Sequence, residues 1–275
     1  MLKLKKNVYK RNSKKRLLSL VAEVKSFNEQ KKYENIKLVD EKILAIYLNS
    51  QEILTAMTIC DYPEYLAAGF LYNQNIIKKL DEIDSIEYNE ELGVVVMRTK
   101  EKTLFEQKNI KRIKTSGCAL GTIFGDMFNK LTPIPKTNKF QFKLSQIRQL
   151  VKEINLTPSL YLEAGAIHGS VLCSTEKPLV YMEDVGRHNA VDKVSGWMLI
   201  EKIKPENKIL YTTGRLTSEM VLKAISMKIP VLVSRSGFTK LAVDLANQFN
   251  LTLIGRFKGK RFSCVSKKSR LLFDE

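Results

Sequence analysis

The chain has 275 residues and a mass of 31.5 kDa, and 44% of its residues are hydrophobic. This is enough apolar material for one large core or two smaller ones, and it excludes general disorder. Lysine and arginine outnumber aspartate and glutamate by 46 to 29, which gives a formal charge of +17 and an isoelectric point near 9.6. The surface must therefore attract anions, such as nucleic acid, an acidic protein or a phosphorylated cofactor.

The chain begins with a basic segment. Its first 16 residues hold eight lysines and arginines and no acidic residue, a composition typical of a solvated tail. The apolar stretch that follows is short and interrupted by Glu23, unlike a signal peptide or a membrane span. We assign residues 1–25 to a basic tail and expect a cytoplasmic protein with no membrane association.

Residues 26–108 are predicted to form an α+β unit. Two β-rich runs meet at Ser50 and Gln51 and are typical of a hairpin. An amphipathic helix is predicted to begin near Pro63, and a second hairpin is predicted to turn near Gly93.

The pattern of apolar residues changes after the proline-containing segment TPIPKTNKF. We assign residues 109–135 to a loop, a short helix and a linker. Beyond them the apolar runs ILYTT, VLVSR and LTLIGRF alternate with helical patterns of about ten residues. Strands that alternate with helices pair in parallel, so residues 136–275 are predicted to form an α/β layer domain.

Each of the three late strands is followed by cations and glycine. Arg215 follows the first strand, Arg235 follows the second, and the basic segment 256–261 overlaps the end of the third. If the strands are neighbours, these cations share one crevice at the carboxyl ends, where open parallel sheets bind ligands. Guanidinium groups suit phosphate oxygens, so the pattern favours a phosphate or nucleotide site over ordinary surface arginines.

The segment EDVGRHNAVDKVSGW is the densest polar cluster. If it is a loop entering a helix, His188 and Asp192 lie on one face at i and i+4, with Arg187 beside them. The other histidine of the chain, His168, lies in a run of small residues before a strand. A structural role and a catalytic or binding role are both open for each histidine. The positions predicted to face the core are Val191, Val194 and Trp197 or Met198.

The four cysteines follow no recurrent spacing, which argues against disulfides and zinc fingers and indicates a reducing compartment. Cys118 lies between Gly117 and Gly121, ahead of a predicted helix and close to three cations. Positive charge and a helix start lower the pKa of a thiol, so Cys118 is the candidate reactive cysteine. The other three are predicted to be packing thiols. The cations are Lys111, Arg112 and Lys114, and the packing thiols are Cys60, Cys173 and Cys264.

Four segments together resemble the FdhD/NarQ family of formate dehydrogenase accessory sulfurtransferases. They are PEYLAAGFLYNQNII, EDVGRHNAVDKV, GRLTSEMVLKA and LAVDLANQFNLTLIGRFKGKRF. The resemblance runs from about residue 38 to residue 266.

The resemblance implies a cytidine-deaminase-like α/β/α fold and a sulfur carrier with a persulfide on Cys118. The sulfur would come from a cysteine desulfurase and pass to the molybdenum cofactor of formate dehydrogenase, Mo-bis(molybdopterin guanine dinucleotide). We also expect a homodimer and no metal held directly by the protein. Gly121 stands where the family often has a second cysteine, which argues against a Cys-to-Cys relay but not against a single persulfide. The expected cofactor-binding residues are Arg256, Phe257, Lys258, Gly259, Lys260 and Arg261, together with Arg215 and His188.

Three other functions are weighed against this one. A zinc deaminase needs a glutamate close to its His or Cys ligand and a Pro-Cys-x-x-Cys pair, and the sequence has neither. A nucleic-acid-binding module would suit the charge, but no aromatic stacking motif accompanies it, so the sequence disfavours nucleic acid. A cofactor chaperone that transfers no sulfur is the third alternative.

Overall fold

The structure is a computed structural model, and it describes residues 20–103, 131–135 and 140–274. The described chain opens with an antiparallel hairpin of strands β1 (Val21–Phe27) and β2 (Tyr33–Val39). Strand β1 therefore overlaps the last five residues of the segment 1–25 predicted as a tail.

A four-stranded sheet follows, in the order β4-β3-β6-β5. Its two antiparallel hairpins confirm both hairpin predictions, and the second turns at Gly93, whose φ of +61° suits glycine. Strands β3 and β6 pair in parallel between the hairpins. The strands are β3 (Lys42–Leu48), β4 (Gln51–Thr58), β5 (Ile83–Asn89) and β6 (Val94–Thr99).

Helix α1 (Pro63–Asn73) begins at the predicted proline, but the prediction that it is amphipathic is wrong. Nine of its 11 residues are buried, because the four-stranded sheet covers one side and a later helix, Arg187–Ile200, covers the other. The two helices meet at Gly69 and Gly196, where an added Cβ would overlap a backbone oxygen of the opposite helix. Two glycines thus let the helix backbones approach closely.

The second half of the chain forms a six-stranded sheet in the order β13-β12-β11-β10-β8-β9. Strands β10, β11 and β12 are parallel neighbours, which confirms the parallel pairing, while β8 and β13 run antiparallel to them. Strand β9 is antiparallel to β8 and so runs in the same direction as β10. The strands are β8 (His168–Cys173), β9 (Pro178–Asp184), β10 (Ile209–Thr212), β11 (Val231–Ser234), β12 (Thr252–Lys258) and β13 (Arg261–Ser266).

Helices cover both faces of this sheet. Within β10, Leu210 packs into the core on one face, while Ile209 and Tyr211 point to the core on the other, as expected for alternating strand residues. The result is a layered, mixed α/β fold, as predicted. The helices are α2 (Leu144–Leu156) on one face, α4 (Arg187–Ile200), α5 (Ser218–Ser226) and α6 (Lys240–Gln248) on the other, and the short α3 (Leu160–Ala164).

Two further strands, β7 (Phe142–Lys143) and β14 (Leu271–Leu272), form a small parallel pair. Among the described residues, no helix has the length and apolar character required to cross a membrane.

Candidate functional site

The carboxyl ends of β9, β10, β11 and β12 lie along one edge of the six-stranded sheet, because these four strands run in the same direction. The antiparallel strand β8 begins at this edge with His168. We predicted that Arg215, Arg235 and the basic segment follow strands that are neighbours in the sheet. The strand order confirms this prediction.

Three of these strands are followed by the same hydrogen-bonded turn. The last side chain of the strand accepts a hydrogen bond from the backbone N–H two residues later, which turns the chain sharply. The next residues, among them Arg187, Arg215 and Arg235, are thereby held at the edge. The hydrogen bonds run from Gly186 N to Asp184 Oδ1 (3.0 Å), from Gly214 N to Thr212 Oγ1 (3.2 Å) and from Ser236 N to Ser234 Oγ (2.9 Å).

Two of the edge arginines lie near aromatic rings. The guanidinium carbon of Arg235 lies 5.2 Å from the ring centroid of Tyr161, and that of Arg256 lies 5.8 Å from the ring of Phe238. Arg215 is exposed. Stacking on an aromatic face restrains an arginine while its charge stays available.

A cavity of about 390 Å³ opens beside this edge, and we call it the basic cavity. Arg235 and Lys258 supply its charge, and Tyr161 and Gly259 form part of its wall. No acidic side chain among the described residues lines it. Two cations without a competing carboxylate make this cavity suitable for an anion.

The segment 256–261 is not arranged as the sequence predicted. It was expected to place its cations together at the end of the third strand, but Arg256 and Lys258 lie within β12 and Arg261 lies in β13, opposite Lys258. Phe257, Lys258 and Gly259 line the basic cavity, whereas Arg256 packs over Phe238 outside it. Arg256 therefore does not line the cavity that Lys258 lines, and its role in cofactor binding stays a prediction. Lys260 and Arg261 are exposed in the hairpin turn and at the start of β13.

A second cavity, of about 400 Å³, lies between the edge strand β4 and helices α4 and α5, and we call it the acidic cavity. Its polar floor holds His188 and Glu219, whose Nε2 and Oε2 atoms are 2.8 Å apart. Burial lowers the pKa of His188, although the bond to Glu219 opposes this. Asp192 lines the same cavity, which confirms that it shares a helix face with His188. The structure thus separates His188 from the segment 256–261.

The other histidine, His168, also lies at the carboxyl edge. Its Nδ1 atom is 3.3 Å from the hydroxyl of Thr213, which lines the basic cavity. Burial, assisted by the positive charge of Arg187, lowers the pKa of His168. Burial therefore disfavours the charged form of both histidines.

The charged side chains of the segment from Glu183 to Lys193 are buried. Lys193 is fully buried, and its Nζ atom lies 2.5 Å from Asp61 Oδ1 and 2.6 Å from Asp184 Oδ2. Asp184 also accepts a hydrogen bond from Thr58. This network joins the four-stranded sheet to the six-stranded sheet, and its partners were missed because they lie far away in sequence.

A second buried ion pair lies next to it on α4. Lys223 Nζ is 2.5 Å from Asp192 Oδ2, and Asn73 of α1 donates a hydrogen bond to Asp192 Oδ1 at 2.7 Å. The core predictions for this helix are confirmed: Val191, Val194 and Met198 are buried, and Trp197 packs partly buried against the same core.

Cys118, Gly117 and Gly121 lie outside the described residues. Cys173 is buried, and burial raises its thiol pKa. Cys264 and Cys60 are half-buried, and burial raises both pKa values as well. Neutral thiols are poor nucleophiles, so burial disfavours reaction at these three cysteines. Cys60 lies in the loop before α1, with a φ of +52°.

Within residues 20–103, 131–135 and 140–274, no three His, Cys, Asp or Glu side chains are grouped so as to hold a metal ion. The absence of a resident metal stays a prediction for the whole chain.

The layered sheet, its basic edge and the separate four-stranded unit define a mixed α/β protein with a candidate anion site. The sequence matches the model of the FdhD/NarQ family over residues 39–272, and the chain belongs to this family.

Curated relatives support the assignment. The chain is 31% identical over 238 residues to the sulfur carrier protein FdhD of Bacillus subtilis, and 28% identical over 236 residues to that of Bacillus pumilus. Both alignments cover 86% of this chain and 90% of the relative. A crystal structure described as a formate dehydrogenase accessory protein, from Desulfotalea psychrophila, matches with a TM-score of 0.78 and 29% identity. That match covers 92% of this chain and all of the other.

Proposed function

We propose that this protein is a sulfur carrier accessory to formate dehydrogenase. A cysteine desulfurase loads a persulfide on Cys118, and the terminal sulfur passes to Mo-bis(molybdopterin guanine dinucleotide), the cofactor of the dehydrogenase. Family membership and the names of the relatives support the carrier role. The raised pKa values of Cys60, Cys173 and Cys264 support Cys118 as the carrier by leaving it without a competing thiolate.

The single observation that supports cofactor binding is the charge of the basic cavity. Arg235 and Lys258 are suited to the phosphate oxygens of one nucleotide half, and Arg215 stands at the same edge. Gly259 lies on the cavity wall, and no atom approaches the place where a Cβ would stand, so a ligand can come close to the backbone. The cavity volume of about 390 Å³ falls within the usual range for small-molecule sites.

When bound, the cofactor supplies the molybdenum atom that receives the sulfur. The residues of this chain hold its phosphates at the carboxyl edge. The neutral His168 beside Thr213 adds no further positive charge there, so arginine and lysine side chains provide the recognition.

The test of sulfur transfer is intact-mass spectrometry after incubation with a cysteine desulfurase and cysteine. We expect the mass of one added sulfur, located to the peptide that contains Cys118 and absent from Cys118→Ser. Cys60→Ser is the matched control and should load as the parent does. Loading on another cysteine would show that Cys118 is not the carrier, and full activation of formate dehydrogenase by Cys118→Ala would identify a chaperone that transfers no sulfur.

The test of nucleotide binding is calorimetric titration with GDP. Arg235→Gln and Lys258→Gln should each weaken binding about tenfold, because each removes a charge-assisted contact. Arg261→Gln, an exposed cation of the same hairpin, should change it less than about twofold. An equal loss of GDP affinity in all three variants would show that binding depends only on the overall positive charge. This is the behaviour of a nucleic-acid-binding surface.

Three expectations accompany the proposal. The protein works in the cytoplasm, it forms a homodimer, and its functional parts follow the ranges 1–25, 26–108, 109–135 and 136–275. Light scattering coupled to gel filtration measures the oligomeric state directly.

A further inference from the structure

The basic cavity changes in character from its rim to its interior. Lys258 and Gly259 are exposed at the rim, whereas three aromatic residues of the lining are almost completely buried. The exposed fractions are 3% for Tyr211, 6% for Tyr181 and 2% for Phe257. A ligand that fills this cavity therefore places a flat, apolar part inside and an anionic part at the rim.

Strand register explains why aromatic rings gather in the interior. Tyr211 of β10 lies opposite Val171 of β8, and Val171 lies opposite Tyr181 of β9. Residues opposite each other in neighbouring strands point to the same face of a sheet, so both tyrosines face α2. Val151 and Ile154 of α2 form the other wall. The interior of the cavity thus lies between the six-stranded sheet and α2.

The hydroxyl group of Tyr211 is the observation that points to a ligand. Within residues 20–103, 131–135 and 140–274, no group forms a hydrogen bond with it, although Tyr211 is buried and lines the cavity. Buried tyrosine hydroxyls usually have a partner, since an unmet hydrogen bond costs free energy. Burial raises the pKa of Tyr211 to about 12, so the hydroxyl keeps its proton and can donate. A group that enters the cavity can supply the missing partner.

Tyr161 offers a second contact for a flat ring. It is 39% exposed at the cavity wall, even though the guanidinium of Arg235 lies over its ring. Its backbone is held in place, because Tyr161 N donates to the buried Glu183 Oε1 at 3.0 Å. Nucleobases stack on exposed aromatic rings of this kind.

We propose that the interior of the basic cavity receives the base of the bound nucleotide, stacked on Tyr161 and hydrogen-bonded to the hydroxyl of Tyr211, while its phosphates lie at the rim against Arg235 and Lys258. Tyr161 and Tyr211 thereby distinguish a nucleotide from a bare phosphate. The inference rests on the proposed function, since it concerns the nucleotide half of the same cofactor, and it assigns two residues outside the segment 256–261.

The test compares GDP with inorganic pyrophosphate, which has the phosphates of GDP and no base. Calorimetry on the full-length protein measures GDP binding, and competition against GDP measures pyrophosphate binding. Tyr211→Phe, which removes only the hydroxyl, should weaken GDP binding about fivefold and leave the affinity for pyrophosphate unchanged. Because this hydroxyl has no hydrogen-bond partner among the described residues, the urea midpoint of the variant should not fall.

Three further variants complete the comparison. Tyr161→Leu should weaken GDP binding at least about fivefold through lost stacking, and pyrophosphate binding less than about twofold. Lys258→Gln should weaken the binding of both ligands by the same factor, because it acts on the phosphates alone. Tyr33→Phe, at a tyrosine that is 77% exposed in the β1–β2 hairpin, is the matched control and should change neither. If Tyr161→Leu does not fold, Tyr211→Phe decides.

The contrary results separate this inference from the proposed function. GDP binding that is weakened by Lys258→Gln but not by the tyrosine variants would place the base outside the cavity and give Tyr211 a water molecule as its partner. The inference would then be wrong, and the proposed nucleotide site would stand. An equal loss of pyrophosphate affinity in Tyr211→Phe would also overturn it, since the hydroxyl would then contact a phosphate. A parent protein that binds no GDP would overturn the inference and the nucleotide site together, whereas sulfur loading on Cys118 tests the carrier role separately.

Discussion

The basic and acidic cavities border the same sheet edge but are assembled differently. The lining of the basic cavity lies between residues 151 and 259 and comes from the layered α/β part of the chain. The acidic cavity takes its lining from residues 41–74 and again from residues 185–223. One cavity therefore needs only the six-stranded sheet and its helices, whereas the other needs the four-stranded sheet to be docked against α4.

The docking of the four-stranded sheet and α1 against α4 depends on buried contacts and not on surface charge. Gly69 and Gly196 allow the backbones of α1 and α4 to approach closely where the two helices cross. The buried ion pairs of Lys193 and Lys223 lie next to this crossing. Since a buried ion pair is weak evidence for stability, we expect the apolar contacts that the two glycines permit to supply most of the attraction. Changes at the crossing should consequently affect the acidic cavity before the basic one.

The largest effect is expected from Gly196→Ala. Its Cβ would overlap the carbonyl oxygen of Tyr65, which is backbone and cannot move aside, so the free energy of unfolding should fall by more than about 4 kcal/mol. Urea denaturation measures the loss. Folded protein that remains should still bind GDP.

The control for this change is Gly237→Ala. The nearest atom to its added Cβ is Arg256 Nε at 3.9 Å, an ordinary contact, so stability should hardly change. A Gly196→Ala protein as stable as Gly237→Ala would show that α1 and α4 can move apart with no loss in the free energy of unfolding.

The next largest effect is expected from Lys193→Met, which leaves the carboxylates of Asp61 and Asp184 buried without their cation. Removing one partner of a buried pair usually costs about 3–5 kcal/mol, and chemical denaturation should show a loss in that range. Lys240→Met breaks an exposed pair with Asp244 and is the matched control, for which little change is expected. A small loss of stability in Lys193→Met would mean that protonation of the two carboxylates, or water, compensates for the missing ammonium group.

The sequence was informative where structure depends on local pattern. The hairpin around Ser50, the start of α1 at Pro63 and the pairing of His188 with Asp192 on one face all follow from turn chemistry or helical period. The parallel order of β10, β11 and β12 follows from strand and helix alternation.

What could not be predicted depends on residues distant in sequence. The run AAGF of α1 looks half-exposed in isolation, and only the docked α4 explains why both of its sides are buried. Asp61 and Lys193 carry no sequence signal that they meet. The acidic cavity could not be found for the same reason, because its lining comes from residues 41–74 and from residues 185–223, more than 100 residues further along the chain.

An intermediate effect, of about 1–3 kcal/mol, concerns the pH dependence of stability. Burial raises the pKa of Glu183 from 4.5 to about 7, although the backbone N–H groups of Leu160 and Tyr161 donate to it and oppose the shift. An acid whose pKa is higher in the folded state stabilises the fold below pH 4.5, and this stability is lost as the pH rises through 7. Between pH 5 and pH 8 the free energy of unfolding should therefore fall more in the parent than in Glu183→Gln. Parallel pH profiles for the two proteins would show that Glu183 titrates normally.

The smallest effect is expected at the contact between the β1–β2 hairpin and α3, and it sharpens the comparison of the two cavities. Lys37 Nζ lies 2.6 Å from Glu163 Oε2, and α3 also carries Tyr161, a wall residue of the basic cavity. The pair is about one third exposed, so solvent and salt weaken it. Lys37→Ala should leave the urea midpoint almost unchanged and GDP affinity within about twofold of the parent, because Glu183 already holds the start of α3. Glu163→Gln should behave in the same way, and the double variant should show no coupling in GDP titrations. A large coupling between the two would mean that the N-terminal hairpin positions Tyr161, and that the basic cavity depends on distant segments as much as the acidic cavity does.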